Sequence, residues 1–272
     1  MRIRLSAFLC CLAAALAAPP PAAAQYGARP VADTAPGEDY RVEVGFAFWN
    51  PTPDIVISSE SLGIIGSHID FVNDLAIEKS RFTQLRVVLK PARKHKFRFE
   101  FTPISYEAQA TLHRDVIFNG QRFSVNLPVA TELEWKAYRF GYEWDFVSRD
   151  RGFVGLLLEA KYTDVRATLS NVLVTEFTHA RAPIPAIGII GRGYVARNVA
   201  ITGEFSGFKL PESINEDYGA KYYDFDLYGT VNFNRYVGAQ LGYRSFDVFY
   251  KLEDDDGTLK LNGIYFGGVA RF

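Results

Sequence analysis

Four histidines, His68, His95, His113 and His179, are the side chains in this sequence best suited to moving a proton near neutral pH. His113 stands two residues before Asp115, so a carboxylate could orient an imidazole acting as a base. The run Glu253-Asp254-Asp255-Asp256-Gly257 offers oxygens of the kind that hold Ca²⁺. It lacks the spaced ligands and the distal Glu of a calcium loop, and reads as a solvated acidic turn. The glycines from Gly188 to Gly193 lie in a strand-like stretch without the strand-to-helix setting that a phosphate loop needs. They read as easing curvature. No cofactor and no metal centre is expected from these residues.

What such residues can do depends on the elements that carry them. Arg2 and Arg4, an apolar run from Leu5 to Leu16 and the small-residue stretch ending Ala22-Ala23-Ala24 form a secretory signal peptide over residues 1–24. The run is too short for the roughly 20 apolar residues of a membrane helix. Both cysteines, Cys10 and Cys11, fall inside it, so the mature chain has no thiol chemistry. Loss of Arg2 and Arg4 with no acid moves the formal charge from −1 to −3. That balance excludes nucleic acid, which asks for a basic face. Residues 25–39, with Pro30, Pro36, Gly27 and Gly37, read as a flexible lead-in, and 40–272 as one domain. With 15% aromatic residues and no later apolar stretch long enough for a membrane helix, the composition is that of a lipid-facing β-barrel.

The fold class expected is therefore all-β: a single antiparallel transmembrane β-barrel. A strand between lipid and lumen alternates apolar and polar residues. In 221–234, Tyr223, Phe225, Leu227, Val231 and Phe233 oppose Asp224, Asp226, Thr230, Asn232 and Asn234. Nine further segments read the same way: 40–50, 82–90, one from His95, one ending near Phe146, one from Phe153, a Gly-rich one over 185–195, 199–208, 236–250 and 259–272. In the first, Tyr40 points outward and Arg41 inward. Tight connections at 92–94, 148–152, 196–198 and 234–235 alternate with long ones, the first of which runs from Pro51 to Arg81. Ten strands keep both ends on the periplasmic side; eight or twelve would follow from a miscount at the sixth strand or at the hairpin described next.

Asn119-Gly120 is a favoured two-residue hairpin turn. Reflection about it pairs residues whose numbers sum to 239, so Lys96 faces Glu143 and Glu100 faces Arg139. Arms of that length overshoot the bilayer, and the hairpin should project from it. A tight turn centred on Arg93 sets Arg86 opposite Glu100, one centred on Arg149 sets Arg139 opposite Glu159, and one at Arg235 sets Asp226 opposite Arg244. The expected lumen is thus lined by a row of alternating sign, Arg86–Glu100–Arg139–Glu159. A barrel of about this size is filled by side chains, whereas a water channel takes 16 or so strands.

Phe272 ends the last strand, with Phe266 on the same face. A terminal aromatic on an alternating strand resembles the signal read by the outer-membrane assembly machinery, which becomes an expected partner beside the outer-membrane lipids. The stretches Ile69-Asp70-Phe71-Val72-Asn73-Asp74-Leu75, His95 to Ile104 and Val116-Ile117-Phe118-Asn119-Gly120 resemble a group of small outer-membrane β-barrel proteins of Gram-negative bacteria with no established biochemical activity. That resemblance covers about residues 62–165. It implies fold and outer-membrane location, and carries over no catalytic residue. Some ten-stranded barrels are outer-membrane proteases with Asp and His at the mouth, but no wider match to that pattern is present. The functional expectation is a non-enzymatic barrel with an ion-paired, largely filled lumen that is structural or binds partners through its outer loops. The alternatives are a narrow channel or transporter for small or apolar solutes, with a small apolar ligand, and a hydrolase at the outer mouth.

Overall fold

The computed structural model describes residues 34–58, 66–210, 218–252 and 255–272. The expected signal segment, the lead-in up to residue 33, and Glu253 and Asp254 of the acidic run lie outside them. The strands are β1 (Val42–Ser58), β2 (Ile69–Asp70), β3 (Phe82–Ala92), β4 (His95–Thr111), β5 (Val116–Phe118), β6 (Gln121–Phe123), β7 (Pro128–Arg149), β8 (Gly152–Ser170), β9 (Thr175–Ala196), β10 (Val199–Lys209), β11 (Tyr218–Asn232), β12 (Val237–Leu252) and β13 (Asp255–Arg271). Ten of them, β1, β3, β4 and β7 to β13, pair antiparallel in chain order, and β13 returns to β1 to close a barrel. Two residues of β2 add to the edge of β1, and β5 pairs only with β6.

Side-chain alternation places the barrel in a membrane. On β4, Phe97 is exposed and Phe99 and Phe101 are half-buried, while Lys96, Arg98 and Glu100 are buried in the lumen. Exterior rings continue onto the next strand, with Phe99 against Phe140 at 5.1 Å and Phe101 stacked on Tyr138 at 4.8 Å. A continuous apolar exterior around a charged interior is the inverse of a water-soluble barrel, and fits a lipid solvent. Further along each long strand the pattern reverses. Ile104 and Tyr106 are buried inside, whereas Ser105 and Glu107 face out; on β7, Leu133 and Trp135 are inside and Glu132 and Lys136 outside. The reversal marks where hydrocarbon ends. β7 and β9 have 22 residues each, about 70 Å when extended, so they reach well past a band of roughly 25 Å.

The chain departs from expectation at four places. Tyr40 does not point to lipid and Arg41 is not inward. The strand begins at Val42, Tyr40 is buried in the mouth beside Lys90 (4.9 Å) and Arg271 (5.9 Å), and Arg41 is exposed. Residues 34–39, read as part of a flexible lead-in, form a turn packed into the same mouth, with Ala35 N–H donating to the Asp150 carbonyl at 2.9 Å. The stretch after Pro51 is not all loop, because β1 continues to Ser58 along β13. Finally, the long hairpin projects past the membrane band as expected, but its outer end does not continue straight. Its pairs do sum to 239, from His95–Trp144 up to Thr111–Pro128 and again at Phe118–Gln121, and Asn119 and Gly120 take positive φ (49° and 76°) at the tip. Between these ladders the chain bends, and β5–β6 folds over the barrel mouth because Val116, Phe118 and Phe123 find full burial there. At roughly 25 cal/mol per Å² of apolar surface, three such side chains outweigh an exposed straight hairpin.

Phe272 caps the seam: its carbonyl accepts from Arg41 and Val42 N–H at 2.7 and 3.0 Å, and its own N–H donates to Val42 at 2.9 Å. Phe266 faces lipid midway along β13, with its ring 5.7 Å from Phe48. Phe266→Lys should cost about 2–4 kcal/mol by putting a charge near the bilayer midplane. The readout is the yield of heat-modifiable, folded barrel in membranes, and a normal yield would show that this face does not meet lipid.

Candidate functional site

The lumen holds two layers. In the lower one, toward the short turns, Arg86 and Glu100 sit opposite each other on β3 and β4, and Glu100 and Arg139 on β4 and β7. Arg86 Nε donates to Glu100 at 3.3 Å, and Arg139 Nη1 lies 3.6 Å from Glu100. Lys96 Nζ bridges Glu143 (2.5 Å) and Asp145 (2.9 Å). Arg139 is not opposite Glu159 as the turn geometry suggests. The turn falls at Asp150-Arg151 instead of being centred on Arg149, and a bulge between Trp144 and Val147 shifts the β7–β8 register by one residue, so Arg139 faces Lys161 and Glu159 faces Gly141. The Arg139–Glu159 bond still forms, diagonally, at 2.5 Å, since Gly141 has no side chain to intervene. Asp226 does face Arg244 across β11 and β12, yet each bonds elsewhere. Arg244 donates to Asp224 (2.8 Å) and to Glu100, and Arg86 reaches Asp226 across the lumen at 2.8 Å.

The sequence row therefore becomes a knot tied across the lumen. Its hub is Glu204 on β10, which lies outside the expected row. It accepts from Arg98 at 2.5 Å, Arg139 at 3.3 Å and the Tyr228 hydroxyl at 3.2 Å, with Arg86 3.9 Å away. Asp224 similarly collects Lys161 (3.1 Å) and Arg244. Cross-lumen pairs such as Arg98–Glu204 and Lys161–Asp224 cannot be derived from the registers of neighbouring strands. Among the described residues nine acidic and nine basic side chains face the lumen and its mouth. A balanced interior offers neither sign of ion a net attraction.

The upper layer is apolar. Trp135, Phe246 and Tyr222 meet across the barrel, with ring centroids 4.9 and 5.0 Å apart, above Trp49 and below Ile55, Ile57, Leu133 and Leu169. Between the layers, beside Glu100, Arg139, Tyr222 and Phe246, a space of only about 20 Å³ admits the centre of a water molecule; that is room for one or two waters. The cap closes the top. Phe71 and Leu75 from the first loop pack with Phe118 and Phe123 of the β5–β6 hairpin. Ser67 N–H donates to the Ile117 carbonyl at 2.8 Å, and Arg114 donates to Asp74 and to the His68 carbonyl, both at 2.6 Å. The Arg114 hydrogen bond holds the Asp74 carboxyl below its ordinary range against some desolvation. At the tip, Asn119 donates to Glu176 at 3.0 Å.

The histidines are scattered. Asp115 turns away from His113: it takes Arg122 and the Val125 N–H (2.7 Å), and the Arg122 bond lowers its pKa. His95 lies at the turn end against the Tyr142 hydroxyl at 2.6 Å, and His68 is exposed, 3.8 Å from Asp256. A His–Asp pair does exist where spacing gave no hint, His179 Nε2 with Asp164 at 2.7 Å. It lies on the outer wall, where Arg181 also reaches Asp164 at 3.2 Å.

No family model matches the chain, and no curated protein matches it. Among solved structures it is similar to the outer membrane protease OmpT from Escherichia coli, with a TM-score of 0.61 over 86% of this chain and 97% of that one, at 9% identity. Weaker similarities are to the toluene transporter TodX of P. putida (TM-score 0.37, 7% identity, 86% and 90% covered) and to Ail, the attachment invasion locus protein of Yersinia pestis (0.36, 10%, 84% and 99%). The fold is that of outer-membrane β-barrels. At such identities the likeness is one of architecture, and the barrel's chemistry has to be argued from its own residues.

Proposed function

We propose that this chain is a non-conducting, non-enzymatic barrel of the Gram-negative outer membrane, working as a rigid platform whose capped outer face binds a partner. The observation that carries the reading is the doubly blocked lumen: a neutral ionic knot below an apolar plug, with a cap above both. In this orientation the short turns face the periplasm, where Arg93, Lys94, Arg149, Arg151, Arg197 and Arg235 would each gain on the order of 1 kcal/mol beside anionic headgroups. Beyond the cap, the β8–β9 connection presents Val172 and Leu173 at 90% and 85% exposure. An apolar tip kept in water on a stiff hairpin suits contact with another surface better than it suits stability. Delivery by a signal peptide and insertion by the assembly machinery at Phe272 belong to the same reading, as does membership in the small uncharacterised barrel group.

A second reading, a narrow path for small apolar solutes, is favoured by the apolar inner wall of the outer half. Planar-bilayer recordings separate the two. The wild-type barrel should show no stable conductance steps, and steps should appear in Arg139→Ala, which unties Glu100, Glu159 and Glu204 together. Large, stable wild-type steps would overturn the platform reading.

A further inference from the structure

The barrel wall is uneven in height above the membrane. β9 has 22 residues and β10 only 11, and their ladder stops at Gly207–Ile187. Past that point β10 turns toward β11, where Leu210 N–H donates to the Ala220 carbonyl at 2.8 Å. Residues 175–186 of β9 are therefore paired with β8 on one side and with no described strand on the other.

Proline shows which backbone groups this leaves open. Pro185 and Pro183 stand opposite Ala160 and Tyr162 in an unbroken ladder, so their positions point away from β8, to which a proline has no N–H to give. Arg181, His179 and Phe177 share that parity and do carry N–H groups. Of their backbone groups, only the Phe177 carbonyl has a partner among the described residues, Asn119 Nδ2 at 3.4 Å. The two prolines lie just past the lipid-facing Ile187, where an unpaired N–H near hydrocarbon would be costly. Over residues 175–181 the edge is left able to pair, along about 23 Å. Its outer face is basic. Arg166, Arg181, Lys209 and Lys221 outnumber Asp164 and Asp247 there, and Lys209 stands directly opposite Lys221, a like-charge arrangement that an anion would relieve. On the inner face β9 presents the small side chains of Thr178, Ala180 and Ala182.

We propose that this edge captures an extended acidic segment of a partner protein, which adds to β9 as a further strand. The segment's main chain pairs with the open groups of His179 and Arg181. Its acidic side chains meet the basic outer face, and its alternate, small or β-branched side chains lie over Thr178, Ala180 and Ala182. A second copy of this chain would bring Arg181 and its basic neighbours against their own equivalents, so charge selects against it. The docking edge presupposes the platform reading and supplies the chemistry of the platform's partner.

The test is fluorescence anisotropy of a labelled peptide, Val-Glu-Val-Glu-Val-Glu-Val-amide, titrated with the full barrel in detergent. It should bind about tenfold or more tighter than the same peptide with Lys for Glu. N-methylation of the glutamates, or separately of the valines, should abolish binding for one set and spare it for the other, because only one edge of an added strand meets β9. His179→Pro repeats what Pro183 and Pro185 do at the same parity, so it should leave the β8 ladder and the barrel intact while weakening binding about tenfold or more. His179→Ala keeps the N–H and should bind nearly as wild type does. Absence of binding, equal binding of the Lys peptide, or indifference to N-methylation or to His179→Pro would overturn the proposal. So would a barrel that is dimeric in detergent and becomes monomeric on His179→Pro, since a second copy would then fill the edge. Such failures leave Val172 and Leu173 as the platform's contact, whereas large wild-type conductance steps would sink the platform itself.

Discussion

Glu204→Ala should destabilise the barrel by about 3–5 kcal/mol, the cost of leaving buried partners uncompensated. Glu204 is 2% exposed and gathers Arg86, Arg98 and Arg139, so its loss strands positive charge in a space too tight for solvent to refill. Glu204→Gln keeps the shape and one acceptor and should fall between. Asp164→Ala provides the contrast. It removes an ion pair with Arg181 on the outer wall and should change stability by no more than about 1 kcal/mol. Urea unfolding from micelles, followed by tryptophan fluorescence, ranks the three. A Glu204→Ala barrel as stable as wild type would mean that water solvates the knot, which would also weaken the case for a blocked lumen.

Loss of the cap should be a local event with a large signal. Phe118→Ala and Phe123→Ala each delete a fully buried ring, worth about 3–5 kcal/mol in a packed core. The barrel beneath has its own ladders and should survive, so the loss falls on the β5–β6 hairpin and the first loop. Trypsin added outside intact cells should cut at Arg114 or Arg122 in the variants far faster than in wild type, while heat-modifiability of the barrel stays normal. Equal cleavage rates would show that the hairpin does not rest on the mouth.

Ten strands and the 239 register were legible because alternation and a two-residue Asn-Gly turn are local signals. The reversal of polarity along β4 was legible as well, though its meaning is easily missed. Apolar Ile104, Tyr106, Leu112 and Val116 share the inward parity of Lys96, Arg98 and Glu100. Once the exterior neighbours become Ser105 and Glu107, such an inward run can only pack against itself, which already implies a plug. The β7–β8 register was not legible. The turn falls at Asp150-Arg151 and not about Arg149, and a bulge beside the exposed Phe146 and Val147 adds one residue to β7 that alternation across a turn does not count. The hub role of Glu204 was hidden for a different reason. Strand neighbours follow from register, whereas partners across a lumen follow from how the sheet curls.

That wide spacing along the chain governs how the protein must reach its folded state. Glu43 and Arg271 are separated by 228 positions, and Arg244 and Glu100 by 144. Neither pair can meet until nearly every strand is in place. Loop-closure entropy is then lost long before these contacts return anything, which makes for slow, all-or-none folding. Until β13 finds β1, the charges that tie the finished lumen together are unmatched and must stay wet. The order of events is therefore fixed by where the opposite signs lie: hairpins first, wall closure next, expulsion of water last. A variant that weakens the seam should accumulate open, hydrated sheets rather than partly plugged barrels.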